Sequence, residues 1–316
     1  MAQLAVKVLR KKQEAHDIAS FELVKPDGSA LPGFSAGSHI DVQVPGGLTR
    51  QYSLCNDAAE QHRYRIAVLR DALSRGGSTG MHDAVKEGDM LLISEPRNHF
   101  PLVHARRTLL FAGGIGVTPL LSMAQRLGQV GADFTLHYCT RSPERTAFRE
   151  EIAAAPYAGR VRFHHDDGDA AQKLQLEQVL AQPDAGTHLY VCGPSSFMDD
   201  VIGAAVRLGW PGSRIHLERF GIDALDPGEP FEVTLTARGE SFVVDSGVSL
   251  LEALEARGHD IPNLCRQGVC GECRVPVAAG DILHRDLFLS DADKQACNAM
   301  MSCVSRAAGG RIELSL

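Results

Sequence analysis

Three cysteines of this chain, Cys265, Cys270 and Cys273, stand in a C-x4-C-x2-C loop, with Cys303 well downstream. Thiolates at such spacing oblige the backbone to curl around one centre, and Gly268 and Gly271 inside the loop supply the conformational freedom for it. Four thiolates suit a tetrahedral zinc or an iron-sulfur cluster. Structural zinc sites usually pair cysteines as two C-x2-C knuckles, whereas three ligands on one loop and a distant fourth is plant-type [2Fe-2S] spacing. The expectation is therefore a [2Fe-2S] cluster on Cys265, Cys270, Cys273 and Cys303. Zinc, or reduced buried cysteines without metal, are the alternatives. Cys297 competes for the fourth position, but its surroundings, Asp-Lys-Gln-Ala-Cys-Asn, look helical, and it reads as a small half-buried residue. Cys303, just before the final strand pattern, is preferred.

The remaining cysteines, Cys55, Cys139 and Cys192, are scattered singly among 316 residues, a length that predicts two or three domains. Hydrophobic residues at 44% and charged residues at 22% exclude a disordered, collagen-like or coiled-coil chain. With 32 Lys+Arg against 39 Asp+Glu, the net charge of -7 is too acidic for nucleic-acid binding through broad electrostatics. The N-terminus lacks the charged lead, apolar run and cleavage site of a signal peptide, and no stretch of 18 apolar residues occurs. No membrane association and a cytoplasmic location are expected, with thiols held reduced rather than paired in disulfides.

Residues 5–8, 18–24, 39–44, 64–69 and 90–94 form short alternating or β-branched runs separated by Gly/Pro/Asp turns, the pattern of an antiparallel β-barrel or sandwich. From 108 the pattern changes to strands (108–112, 133–139, 160–164, 188–192, 214–217) alternating with helices (119–127, 147–155, 175–181, 195–208). This predicts an α/β doubly wound parallel sheet. Residues 223–230, poor in large apolar side chains and holding two prolines, read as a linker. Beyond it, a probable hairpin (231–237, 241–244) and an amphipathic helix (250–257) precede the cysteine loop. The predicted division is 1–104, 105–222, linker 223–230 and 231–316.

Two further motifs bear on chemistry. Gly113-Gly114-Ile115-Gly116-Val117-Thr118-Pro119 lies between a buried strand and a helix. With Thr118 as N-cap and Pro119 at the first helical position, it would present backbone N–H groups to a pyrophosphate. A purely structural turn is the other reading. Tyr138-Cys139-Thr140-Arg141-Ser142 and Val191-Cys192-Gly193-Pro194 end two more strands, where ligands of such sheets bind. In the barrel segment, Arg50-Gln51-Tyr52-Ser53 and Arg75-Gly76-Gly77-Ser78-Thr79 offer a guanidinium, amides and hydroxyls to a phosphate, and a Tyr and a Ser to a flat ring. His39, His62, His82, His99, His164 and His165 are dispersed and read as surface or structural residues.

In this order, R-x-Y-S-L, G-G-x-G-x-T-P with C-G-P, and C-x4-C-x2-C with a distal cysteine resemble the phthalate dioxygenase reductase family, part of the larger ferredoxin reductase group with vanillate demethylase reductases as close relatives. The resemblance spans essentially the whole chain. It implies an FMN-binding barrel, an NADH-binding α/β domain and an α+β ferredoxin-like β-grasp domain that passes electrons to a separate Rieske-type oxygenase. It implies Arg50, Tyr52 and Ser53 along the flavin, with Ser53 near its reactive nitrogen, Val68 and Leu69 beside the ring, and Gly77, Ser78 and Thr79 around the phosphate. Gly113, Gly114, Gly116 and Thr118 would hold the NAD pyrophosphate, and Cys192, Gly193 and Pro194 would lie near the nicotinamide; Thr140 and Arg141, at their own strand end, are counted with them as cofactor-binding residues. Phe220, in Glu218-Arg219-Phe220, falls where relatives place an aromatic group near the flavin, although Arg219 replaces a second aromatic of some relatives. FMN over FAD follows from the resemblance. NADH over NADPH follows from the sparse basic residues around Thr140-Arg141-Ser142 and the acidic Asp166-Asp167-Gly168-Asp169, against which Arg141 and Arg145 argue. The resemblance leaves the oxygenase substrate open between an aromatic acid or methoxylated ring and a non-aromatic quaternary amine. Transient docking to the oxygenase and a monomer complete the expectations.

Overall fold

The computed structural model describes every residue except 1, 2, 73, 75, 183, 221–226, 264, 265 and 267. The chain divides after Glu218 into two compact units.

The first unit begins with six antiparallel strands: β1 (Gln3–Ala15), β2 (Ile18–Val24), β3 (His39–Val44), β4 (Leu48–Ser53), β5 (Tyr64–Leu69) and, after helix α1 (Gly77–Asp83), β6 (Met90–Ser94). Their order is β4-β3-β6-β1-β2-β5, and the end strands β4 and β5 approach each other, as in the expected barrel. Alternation drives it: Val6 and Val8, Phe21 and Leu23, Ile40 and Val42, Tyr64 and Ile66 are fully buried on one face. Two elements depart from the sequence reading. β1 runs far past residue 8 because its charged side chains point outward while the backbone stays paired with β2 as far as Ala15 through two bulges. β4 carries Thr49, Arg50 and Gln51, polar residues that conceal a strand paired over its whole length with β3.

A second sheet follows: β7 (Arg107–Gly113), α2 (Val117–Gln129), β8 (Asp133–Thr140), α3 (Arg149–Ala154), β9 (Val161–His165), α4 (Leu176–Val179), β10 (Thr187–Cys192), α5 (Ser195–Arg207) and β11 (Ile215–Glu218). All pairs are parallel, in the order β11-β10-β7-β8-β9. The chain winds outward from β7 through β9 and then returns to β10 on the other side of β7, so β7 and β10 flank the topological switch point.

Barrel and parallel sheet form one unit because buried contacts join them. Arg65 of β5 donates two hydrogen bonds, 2.6 and 2.7 Å, to Glu151 of α3, with its guanidinium 4.9 Å from the Phe148 ring. Glu151 is 37% exposed, so screening reduces the value of a buried pair to about 2 kcal/mol. The Val103 amide donates to the Tyr190 hydroxyl at 2.8 Å.

The second unit holds β12 (Phe231–Leu235), β13 (Glu240–Val244), α6 (Leu250–Glu255), β14 (Arg274–Ala279), β15 (Ile282–Leu283), α7 (Asp291–Ala296), β16 (Ala299–Met301), β17 (Arg306–Ala307) and β18 (Arg311–Leu314). The order β13-β12-β18-β14-β16 is mixed, with β12 parallel to β18. α6, opened by a Ser249/Glu252 capping box, buries Leu250, Leu251 and Leu254 in the core of this α+β unit. Of the segment read as a linker, residues 223–226 lie outside the described residues, whereas Gly228 and Glu229 are fastened to this unit. Arg306, buried against the Phe231 ring, donates to the carbonyls of Glu229, Asp245 and Val248. Among the described residues, no helix is long and apolar enough to cross a membrane.

Candidate functional site

At the switch point the glycines bring two strand ends into backbone contact. A Cβ on Gly116 would stand 2.2 Å from the Cys192 carbonyl oxygen and 2.6 Å from the Gly193 nitrogen, and one on Gly113 would stand 2.9 Å from Pro194. Gly114 adopts φ 53° and has nothing within 4 Å of where its Cβ would lie. The turn is thus sealed on one side and open on the other, at the start of the thirteen-residue helix α2. That arrangement fits a dinucleotide phosphate. The cap differs from expectation. α2 starts at Val117, so Thr118 and Pro119 lie one and two residues inside it. Thr118 is buried and its hydroxyl donates to the Ile115 carbonyl at 3.0 Å, which makes it a brace of the turn rather than its N-cap. At the end of β8, Thr140 is buried in hydroxyl and imidazole contacts with Thr146 and His165, at 2.7 and 2.9 Å, while Arg141 is exposed.

The barrel residues gather around β4. The buried Arg50 side chain lies across Gly77, where a Cβ would stand 2.6 Å from Nε. Ser78 Oγ accepts from the Asp71 amide at 3.0 Å, and the Thr79 amide donates to Ser74 Oγ. A guanidinium fitted into a cradle that only glycine leaves open, beside two hydroxyls, suits a phosphate monoester; Arg75 lies outside the described residues. Burial keeps the Tyr52 phenol protonated. On β5, Val68 is buried and its carbonyl is in contact with His82 Nε2 at 2.8 Å, while Leu69 is partly exposed.

A residue absent from the predicted set joins the two sheets. Ser53 Oγ donates to Glu218 Oε2 at 3.2 Å, and Glu218, last in β11, pairs in register with Cys192 of β10. Burial pushes the Glu218 carboxyl up to about 8, with the Ser53 hydroxyl acting in the opposite direction. Burial and the neighbouring Glu218 hold the Cys192 thiol well above its ordinary range, so it stays a neutral SH. The only sequence signal for Glu218 was a carboxylate ending the last parallel strand beside Cys-Gly-Pro. A folded-state value of about 8 against an ordinary 4.5 means that the carboxyl's contribution to stability is complete below pH 4.5 and is lost as pH rises through 8. The melting temperature of the wild type is therefore expected to fall between pH 6 and 9 more steeply than that of Glu218→Gln; superimposable profiles would exclude this. Phe220 lies beyond the division after Glu218, its ring 39% exposed.

In the second unit Cys265 lies outside the described residues, and the described residues alone gather no three metal-ligating side chains. Cys273 and Cys303 are both buried, and Cys270 half-buried. Pairing of Arg274 with Met301 brings Cys273 and Ser302 side by side, and Ser302 donates to the Cys273 carbonyl through its amide and hydroxyl at 3.1 and 2.9 Å. Cys303 follows at that end of the strand pair. Cys297 caps α7 beyond the opposite end, exposed, with φ 47°. The loop is pinned from outside: the Gly268 carbonyl accepts from the Leu287 amide at 2.9 Å, and Gly271 (φ 82°) lies where a Cβ would meet the Phe288 ring at 2.4 Å. A thiolate donor set on a glycine-relaxed loop fits iron.

A family model described as a 2Fe-2S iron-sulfur cluster binding domain matches residues 233–308, which settles the choice between iron-sulfur and zinc. A second, described as the N-terminal domain of dimethylamine monooxygenase subunit DmmA-like proteins, matches residues 97–215. The chain is 45% identical to vanillate O-demethylase oxidoreductase of Pseudomonas sp. (strain HR199 / DSM 7063), covering 96% of each. It is 43% identical to the phthalate 4,5-dioxygenase oxygenase reductase subunit of Pseudomonas putida, covering 98% of this chain and 96% of that one. It superimposes on a solved phthalate dioxygenase reductase with a TM-score of 0.83 at 41% identity, over 100% of this chain and 98% of the other. The chain belongs to the phthalate dioxygenase reductase family. Like other members of that family it is an electron-transfer reductase of an oxygenase system, using a flavin, a nicotinamide nucleotide and a [2Fe-2S] cluster.

Proposed function

We propose that this reductase takes electrons from NADH through FMN and its [2Fe-2S] cluster to a separate Rieske-type oxygenase that hydroxylates an aromatic acid or removes an O-methyl group. The carrying observation is the Ser53–Glu218–Cys192 constellation, which sets the barrel's flavin strand against the switch point of the parallel sheet. When bound, the flavin supplies the conversion between a two-electron hydride donor and a one-electron acceptor.

The chain's own residues bind and orient. Arg50, with Gly77, Ser78 and Thr79, holds the flavin phosphate, and Tyr52, Ser53, Val68 and Leu69 line its ring. Gly113, Gly114 and Gly116 seat the nucleotide pyrophosphate on a turn that Thr118 braces, with Thr140 and Arg141 at the next strand end. Cys192, Gly193 and Pro194 shape the nicotinamide end, where the neutral thiol adds no charge. Glu218, protonated at neutral pH, accepts from Ser53 Oγ and so holds a neutral carboxyl at the point where the two sheets meet. Phe220 is assigned to the flavin face, and Cys265, Cys270, Cys273 and Cys303 to iron. The division into 1–104, 105–222 and 231–316 then gives each redox component its own domain, and the reaction belongs in the cytoplasm.

The two relatives, an O-demethylase and a dioxygenase component, are nearly equally similar to this chain, so identity alone does not choose the substrate. An anaerobic NADH titration followed by visible absorption and electron paramagnetic resonance is expected to bleach a flavin band and raise a one-electron-reduced cluster signal. A chain lacking either response is not this reductase. Reconstitution with oxygenases for vanillate-type, phthalate-type and quaternary-amine substrates then assigns the partner, and turnover with the last alone would overturn the aromatic reading.

A further inference from the structure

The parallel sheet is covered unevenly. On the face of α5, Leu109, Phe111, Leu189 and Val191 are buried beneath Met198 and Val201. In register with Leu109 and Phe111, however, β8 presents Thr135 and His137, and β9 continues the row with Arg162 opposite His137. Among the described residues, the short α4 and the turn at residues 170–172 stand near these strands on that side. The result is a cavity of about 450 Å³ lined by Arg107, Arg162, His137, Thr135, Gln178 and Gln182, with Val179 and Ala181 as its apolar wall. Two guanidiniums and no carboxylate line it.

The hydrogen bonds of the imidazoles fix what His137 offers. The Gln172 carbonyl can only accept, so His164 Nδ1, 2.7 Å away, carries a hydrogen. Burial keeps His164 neutral, which leaves its Nε2 as an acceptor. His137 Nδ1, 3.0 Å from it, must then donate, and the one polar atom left on the His137 ring is an unprotonated Nε2. Phe111 and His164 stack on the two sides of this ring at 5.2 and 5.3 Å, so it cannot swing away. Arg162 spends Nη1 on the carbonyls of Gly159 and Val161, and Arg107 meets Asp133 only at 3.8 Å. Arg107 precedes Gly113 by the length of β7, about 20 Å of extended strand, while His137 and Arg162 stand in the row of Phe111, two residues before that glycine, so the cavity runs along the strands, and its lining is made of residues other than those of the nucleotide turn.

We propose that this cavity is a second anion site, taking a phosphate-bearing ligand whose oxygens lie between Arg107 and Arg162 and against the His137 ring. The ligand chemistry is a phosphate that keeps one P–OH, free or carried on a nucleoside: that hydroxyl donates to His137 Nε2, and the charged oxygens accept from the two guanidiniums. In the holoprotein, titration with inorganic phosphate is expected to shift the His137 ring signals in a nitrogen-edited magnetic resonance spectrum, with saturation. Arg162→Gln should weaken this binding at least about 10-fold, the value of one charge-assisted hydrogen bond, and Arg107→Gln/Arg162→Gln should abolish it. Both arginines are exposed, so the variants should fold, and NADH reduction of the flavin at an unchanged rate verifies this. A parallel titration with a nucleoside monophosphate tells the two sources apart, since tighter saturation would assign the remaining cavity to the base. A shift that never saturates, or one that persists unaltered in the double variant, would overturn the site.

Discussion

Cys303→Ser is expected to remove the [2Fe-2S] absorption and its paramagnetic signal entirely while NADH still bleaches the flavin at the wild-type rate. The reason lies in the strand pairing. The Arg274–Met301 register places Cys303 at the same end as Cys273, buried under the same core, whereas Cys297 sits exposed on a helix cap at the other end. Cys297→Ser should leave both cofactors untouched. Loss of the cluster in the Cys297 variant and its survival in the Cys303 variant would reverse the ligand assignment. Sparing of the flavin reaction is expected because the first unit, with all the residues assigned to flavin and nucleotide except Phe220, ends at Glu218.

Gly116→Ala should do the converse. Its Cβ would stand 2.2 Å from the carbonyl oxygen of Cys192, a backbone atom that cannot rotate away, so the β7 and β10 ends must part. Forced overpacking of this kind costs about 2 kcal/mol. Because a displacement near 1 Å at a reacting pair can cost about 100-fold in rate, NADH-driven flavin reduction should fall by about that factor, with the cluster spectrum unchanged. Gly159→Ala, where nothing lies within 4 Å and φ is not positive, is the control and should alter neither. Stopped-flow absorbance at the flavin band reads both variants. A rate for Gly116→Ala within twofold of wild type would show that the strand ends yield without harm to the site.

Much of this was legible in the residues. Alternation in β2, β3, β5 and β6 and the strand-helix rhythm after residue 107 follow directly from which side chains must leave water, and those elements lie where the pattern puts them. The polar strand β4 was not legible, because Thr49, Arg50 and Gln51 carry no apolar alternation. Their strand is imposed by full pairing with β3. Thr118 showed the opposite failure: a threonine before a proline has the composition of an N-cap, but the preceding turn of 3-10 helix moves the helix start to Val117 and converts the hydroxyl into a brace.

The sequence by itself narrowed the metal centre to four thiolates with plant-type spacing and placed the glycine turns, because thiolate spacing and glycine placement are local properties of the chain and survive in any fold that lets them close. It also determined the order of the redox components. What tertiary structure alone decided is long-range: that Glu218 reaches Ser53 across 165 positions of sequence, that Gly116 lets the turn after β7 close on the end of β10, and that Arg65 and Glu151 bind barrel and sheet into one unit. Each depends on two segments meeting through sheet order and packing, and no local propensity encodes such a meeting. The uneven cover of the parallel sheet is of the same kind, since whether His137 faces a helix or open space is set by the shortness of α4 and the path of the chain beyond β9.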